Sequence, residues 1–339
     1  MSKKFIKKIL TNTGPKTLFT KETRYQLNKI NSLVIKSFGK LNKNKIFYVI
    51  KRSPGAGMFS NLTFVMNHLL IAQRHNFIPV VDMENYPTIY NEKKKINGTK
   101  NAWEYYFEPV SKYSLNEVYK SQNVFITSDK FENQMSFNLF DKKFLKIKKK
   151  IKIKKNILKS FKKHLQLKFN NEKKILGVHF RGTTYKVAKS HAFPLNKSLM
   201  KENIDNLIKR FKYKKIFLVT DEEDYLNFFK KNYTDKLIYC EFLRTKKIDQ
   251  FKVYPRKFHR FKLGKEIIIE TLMLAKCEGF TYVKSNVSSA AIFFSKKKPK
   301  LFPRFIGNNS RNKYIARWLW YFKNLLPRKF GGHNLKINN

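Results

Sequence analysis

Cysteine is nearly absent from this chain: 339 residues hold two, Cys240 and Cys277. Two thiols build no disulfide framework, and no metal-ligand spacing accompanies them. A reduced compartment fits that usage. Acidic residues are also scarce, 23 Asp and Glu against 73 Lys and Arg, which leaves a formal net charge of +50. Such a balance invites a nucleic-acid reading. A second scarcity argues against it, because only 12 of the 73 cations are Arg. Readers of bases and phosphates lean on the planar guanidinium fork. The excess is Lys, accompanied by many Asn, Ile and Phe, a pattern of composition drift in AT-rich coding sequence spread over solvated faces. Nucleic acid is therefore the least expected partner, although such a surface attracts anionic substrates and anionic membranes. No apolar run reaches the roughly 18 residues of a membrane span. The N-terminal stretch MSKKFIKKILTNTGPK is basic but lacks a long apolar core and a small-residue cleavage site, so no signal peptide is expected. The expected location is cytoplasmic, with peripheral contact at an anionic membrane. No internal repeat is found.

What is present is a 42% hydrophobic share, enough for real cores, and a length that accommodates two domains. Residues 46–51 read as a strand, 53–60 (SPGAGMFS) as a tight glycine turn, and the next stretch as a helix with Leu62, Val65, Met66, Leu69 and Ala72 on one face. Strand 77–82 completes a β–turn–α–β unit. Residues 83–130 are irregular and aromatic-rich, and residues 142–170 read as a long amphipathic helix with solvated lysines. Beyond it, strands at 175–180, 215–220, 236–240 and 280–283 alternate with helices at 197–212, 222–231, 264–277 and 285–294. That alternation predicts a parallel sheet of Rossmann type. The domains expected are 1–170 (N-terminal α/β), 171–305 (C-terminal, Rossmann-like) and 306–339 (a basic aromatic helix and tail). Segment 311–328 reads as a packing helix, with an interfacial membrane helix as the alternative.

The segment Gly177 to Tyr185, GVHFRGTTY, is the most informative. His179 and Arg181 sit two apart at the C-terminal end of an apolar strand, where open α/β sheets bind ligands. Alternation puts both on one face. An imidazole beside a fixed cationic fork suits a phosphorylated, base-bearing ligand, and a surface Arg beside a core His is the plain alternative.

Four motifs occur in a set order. These are the turn Gly55-Ala56-Gly57 leading to Asn61; His179-Phe180-Arg181; the strand ending in Thr220-Asp221; and Glu270 in an apolar helix, followed by a strand and Ser285-Asn286-Val287-Ser288-Ser289. With this set, residues 46–305 resemble the GDP-fucose-dependent fucosyltransferases of the α1,6, nodulation and protein O-fucosyl groups. The resemblance implies an α/β fold of GT-B type, two Rossmann-like domains facing across a cleft. It places His179 and Glu270 at the guanine end of the donor. Guanine presents two adjacent donors that one carboxylate accepts, whereas adenine lacks that pair. Gly55 and Gly57 would let backbone approach the diphosphate, with Asn61 adding a neutral donor and the helix start its free N–H groups. Arg181 would stabilise the charge growing on the leaving diphosphate.

Ser285, Asn286, Ser288 and Ser289 stand at a helix start, either as caps or as phosphate ligands. Asp221 either touches sugar hydroxyls or caps the next helix. The aromatic segment 103–107 is a candidate for stacking on sugar rings. The sequence departs from the family at Thr184, where an Asp is usual, and at Lys189, near the place of a Glu thought to act as base. His191 is then the nearest candidate base; alternatively the leaving diphosphate takes the proton. No metal site is expected, fixed cations serving instead. The resulting expectation is an inverting, metal-independent glycosyltransferase carrying fucose from GDP-fucose to a glycan hydroxyl of a surface polysaccharide or glycolipid. The alternatives are another nucleotide-sugar donor, an inactive sugar-nucleotide-binding homologue, and a charge-driven nucleic-acid binder.

Overall fold

The computed structural model describes residues 34–127, 147–182 and 196–304, apart from positions 53, 55, 247, 248, 284 and 298. Gly55, Thr184, Lys189, His191 and segment 311–328 lie outside the described residues. The chain divides into two α/β units. One takes the residues up to Ile157 together with Arg260–Lys265, the other Leu158–His259 and the chain from Glu266 onward.

The first unit holds β1 (Val34–Lys36), β2 (Phe47–Lys51), β3 (Ile78–Asp82) and β4 (Val124–Ile126) in the order β1-β4-β2-β3. Strands β2, β3 and β4 run parallel, and β1 pairs antiparallel with β4 at the edge. Helix α1 (Met58–Arg74) makes the crossover from β2 to β3. One apolar face was expected of it, yet Asn61, Thr63, Phe64, Asn67, His68 and Ile71 are buried along with Leu62, Val65, Met66, Leu69 and Ala72. A helix covered on nearly every side needs internal partners for its polar groups. Thr63 donates to Phe59 O, and His68 Nδ1 meets Tyr48 Oη at 2.8 Å.

Residues 83–123 are more ordered than the sequence suggests. They include the 3₁₀ turn Ala102–Tyr105 and the short α2 (Leu115–Val118). The aromatic segment packs inward, with Trp103, Tyr105, Tyr106 and Phe107 all buried and Trp103 stacked on Phe107. The expectation of rings offered to a sugar is thereby corrected: these faces are covered by protein. Asn101 explains the tuck, donating to Val81 O at 2.7 Å and accepting from Met83 N at 3.1 Å.

The second unit is a five-stranded, wholly parallel sheet. Its strands are β5 (Ile175–His179), β6 (Lys215–Val219), β7 (Leu237–Ile238), β8 (Gly279–Val283) and β9 (Lys300–Arg304), in the order β7-β6-β5-β8-β9. Its helices are α3 (Lys155–Phe169) from Leu158 on, α4 (Lys197–Phe211), α5 (Glu223–Tyr233), α6 (His259–Leu274) apart from Arg260–Lys265, and α7 (Asn286–Phe294). Helix α3 starts at residue 155, later than the sequence suggests, because Ile153 is drawn into a bridge with Phe107. On one face of the sheet Leu176, Val178, Ile216 and Leu218 pack against Met200, Ile204, Leu226 and Phe229. On the other, Gly177 admits α6 closely: a Cβ there would stand 3.1 Å from Cys277 Sγ and Leu274 Cδ2. Among the described residues no helix is long and apolar enough to cross a membrane.

Candidate functional site

The strand order fixes where a ligand fits the second unit. From central β5 the chain moves through α4 to β6 and β7 on one side, then returns through α6 to β8 and β9 on the other. Between β5 and β8 the connections diverge, leaving a crevice beyond the carboxyl ends, the usual ligand position in open α/β sheets. Register sets His179 opposite Val219 on β6 and Tyr282 on β8. The segments beginning at Phe180, Thr220 and Ser285 therefore leave one edge of the sheet.

His179 ends β5 and is 2% exposed, with Nδ1 buried and lacking a partner among the described residues. Burial lowers its pKa to about 3, the Arg181 charge adding to the effect, while Asp221 and the Val283 backbone oppose it. It is thus a neutral imidazole at physiological pH, able to donate or accept according to tautomer. Buried polar atoms without partners are rare and call for an explanation. Arg181 lies just past the strand and is partly exposed, close enough for its charge to act on His179. Gly182 follows. Its N–H donates to Asp221 Oδ1 at 2.8 Å, and an added Cβ would fall 2.5 Å from Glu222 Cβ and 2.8 Å from Tyr225 Cε2. Phe180 stacks on Tyr225 at 4.1 Å, so the backbone that presents Arg181 is anchored on both sides.

Asp221 accordingly ties the exit of β6 to the exit of β5. It does not cap α5, whose N-cap is Glu222, although the acids Glu223 and Asp224 occupy the first turn as the helix dipole favours.

Glu270 is buried on α6, 6% exposed. Its partner was not foreseen: Arg244, in the segment after β7, donates from Nη2 to Glu270 Oε1 at 3.1 Å. Burial pushes the Glu270 carboxyl up to about 8 against the pull of Arg244, with Glu266 and Asp221 adding to the rise. Arg244 Nη1 donates to Cys240 O and Phe242 O, both at 2.8 Å. His179, Arg181, Asp221, Glu270 and Arg244 thus form one electrostatically coupled group.

Helix α7 begins with a reciprocal cap. Ser285 Oγ accepts from Ser288 N at 3.2 Å, and Ser288 Oγ accepts from Ser285 N at 2.8 Å. The hydroxyls of Ser285 and Ser288 are therefore engaged in capping. Ser289 N bonds to Ser285 O, while Asn286 is exposed in the first turn. The first turn carries no acid, and helix starts attract anions through their N–H groups and dipole.

In the first unit, Gly57 precedes α1 with φ −58°, and a Cβ there would meet nothing within 4 Å. The protein itself thus places no steric demand for glycine at 57. Asn61 folds back so that Oδ1 accepts from Ala56 N at 3.1 Å, fastening the turn, and Met58 N donates to Tyr90 Oη at 2.7 Å.

No family model and no curated protein matches the chain. Among solved structures it is similar to the fucosyltransferase NodZ from Bradyrhizobium, at 17% identity over 73% of this chain and 92% of that one, with a TM-score of 0.45. It is similar also to POFUT1 in complex with GDP, at 14% identity over 77% of this chain and 73% of that one (TM-score 0.37). A third is an Arabidopsis thaliana FUT1 variant in complex with GDP, at 10% identity over 92% of this chain and 80% of that one (TM-score 0.45).

Proposed function

We propose that this chain is a glycosyltransferase that carries fucose from GDP-fucose to a glycan hydroxyl of a surface polysaccharide or glycolipid. It inverts the anomeric centre and uses no metal. The observation that supports this reading most is the grouping at the β5–β8 crevice: Arg181 beside a buried, neutral His179, with Glu270 coupled to both ends of the group through Asp221. A fixed fork serves the diphosphate, an imidazole and a carboxylate serve the base, and the open first turn of α7 offers N–H groups to phosphate oxygens. The donor identity rests on the motif resemblance together with the pairing of one carboxylate with two adjacent donors of guanine.

In the proposed reaction the acceptor oxygen forms a bond to the anomeric carbon as the carbon–oxygen bond to the diphosphate breaks. GDP leaves with the electron pair. Charge on it grows along the path, so a preorganised Arg181 stabilises the transition state more than the ground state. The acceptor proton passes to His191, or to the leaving diphosphate. The net charge of +50 supports work in the cytoplasm at an anionic membrane surface.

Calorimetric titration with GDP, ADP and UDP, without added metal, tests the reading on the parent chain and on Arg181→Ala. The expected result is selective GDP binding that the variant loses. Equal binding of the three nucleotides, or GDP binding indifferent to Arg181, removes it.

A further inference from the structure

Glu270 poses a physical problem. A carboxyl this deeply buried is easily protonated, and a protonated carboxyl loses acceptor capacity toward a base presenting two donors. Four titratable groups face it. Asp221, in the segment after β6, and Glu266, on its own helix, both favour its protonated form. Cys240, in the segment after β7, has its thiol pKa pushed up by burial. Arg244, four residues beyond Cys240, is the cation of the set. A second Arg stands near, but Arg256 spends Nη1 and Nη2 on Glu266 in a bidentate pair at 2.6 Å each. The charge that bears on Glu270 is thus that of Arg244.

The geometry of Arg244 is also more specific than charge balance requires. Its side chain is as buried as that of Glu270, and Nε lies buried with no partner among the described residues. An ion pair of this kind contributes little to stability, because desolvation of both ions offsets their attraction. A chain rich in Lys has nonetheless placed an Arg here. The planar fork explains why: one terminal nitrogen is pinned to two carbonyls, so the other delivers its N–H to a single carboxylate oxygen from a fixed direction. Glu270 Oε2 makes no hydrogen bond among the described residues.

We infer that Arg244 is a positioning residue that sets both the ionisation and the aim of the Glu270 carboxylate, and thereby the preference for a base bearing two adjacent donors. The inference rests on the proposed reading of this crevice as a guanine nucleotide site. Arg244 itself need not touch the ligand.

The test is the ratio of GDP to ADP affinity, measured by calorimetry from about pH 6 to about pH 9, in which the phosphate titration common to both ligands cancels. In the parent the ratio rises with pH as Glu270 ionises. In Arg244→Met that rise moves to higher pH, and the ratio near neutral pH drops about tenfold or more, as expected for a lost hydrogen bond to a charged group. Arg244→Lys keeps the charge and guards against a folding defect. Its rise stays near the parent's position, with a weaker ratio at every pH. Glu270→Gln gives a flat profile. An Arg244→Met profile matching the parent overturns the inference and leaves the guanine reading standing, as does a pH-dependent rise that survives Glu270→Gln. No GDP preference in the parent removes the guanine reading itself, and this inference with it.

Discussion

Gly182→Ala perturbs the turn that presents Arg181 by the addition of a single methyl group. Among described glycines only Gly98 has a positive φ, so space rather than backbone conformation excludes a side chain at 182. The new Cβ would stand 2.5 Å from Glu222 Cβ, 2.9 Å from Glu222 Cγ and 2.8 Å from Tyr225 Cε2. None of these is the loose end of a flexible chain, since Glu222 is buried and Tyr225 is stacked under Phe180. Overpacking of this kind costs about 1–3 kcal/mol. A shift of residues 181–182 away from α5 relieves the clash and lengthens the 2.8 Å bond from Gly182 N to Asp221 Oδ1. A hydrogen bond to a charged group contributes about 1.5–3 kcal/mol. The two losses trade against one another, so about 2–4 kcal/mol in all is expected. For a unit of this size that lowers the melting midpoint by roughly 5–15 °C. Circular dichroism melts of parent and variant measure it, and nucleotide affinity falls in parallel because Arg181 moves with the loop. An unchanged midpoint would refute the tight packing of this turn, and with it the argument that Arg181 is held in place from both sides.

Gly57→Ala is the counterpart, with φ already negative and open space around the site; stability should stay level or rise by about 0.4–1 kcal/mol. A loss of nucleotide affinity without a loss of stability in that variant would show that a ligand approaches the turn. Ser288→Ala removes half of the reciprocal cap on α7 and should cost about 1–2 kcal/mol in urea unfolding; a variant of parent stability with weaker GDP binding would instead make Ser288 a ligand. His179 and His68 are both held neutral, with pKa values lowered by burial from an ordinary 6.5 to about 3. Below pH 6.5 the unfolded chain binds more protons at these sites than the native one, so stability is flat above that pH and falls toward pH 3. Each histidine contributes a slope of about 1.4 kcal/mol per pH unit, and His179→Gln should flatten the measured slope by one such share.

Periodicity revealed β2, α1, β3, β5, β6, α4, α5 and α7 because each carries its own local signal. The strands it missed carry none. Val34–Lys36 and Val124–Ile126 are three residues each, and Lys300–Arg304 hides behind Pro303, which an edge strand tolerates. Helix α6 begins at His259, well before the expected residue 264. A Cβ at Gly264 would run into Tyr106 Oη, so a small residue is what the packing requires there. At the crevice, His179, Arg181, Asp221 and Glu270 were legible because strand ends and apolar helices announce themselves. Their partners were not. The bond from Gly182 to Asp221 and the pair of Arg244 with Glu270 join residues far apart in sequence, and no local pattern encodes either. The ring faces of 103–107 misled for the opposite reason: an aromatic cluster has the same composition whether it lines a core or meets a sugar.

The pinned fork of Arg244 has counterparts elsewhere in a chain whose cations are mostly lysine. Arg52 lies over the ring of Phe64, Arg256 grips both oxygens of Glu266, and Arg244 bridges two carbonyls and a carboxylate. Each of these tasks needs a plane, not merely a charge. Where an ammonium could supply the charge alone, these three arginines hold neighbouring groups in a fixed plane and so lend the structure direction as well as attraction.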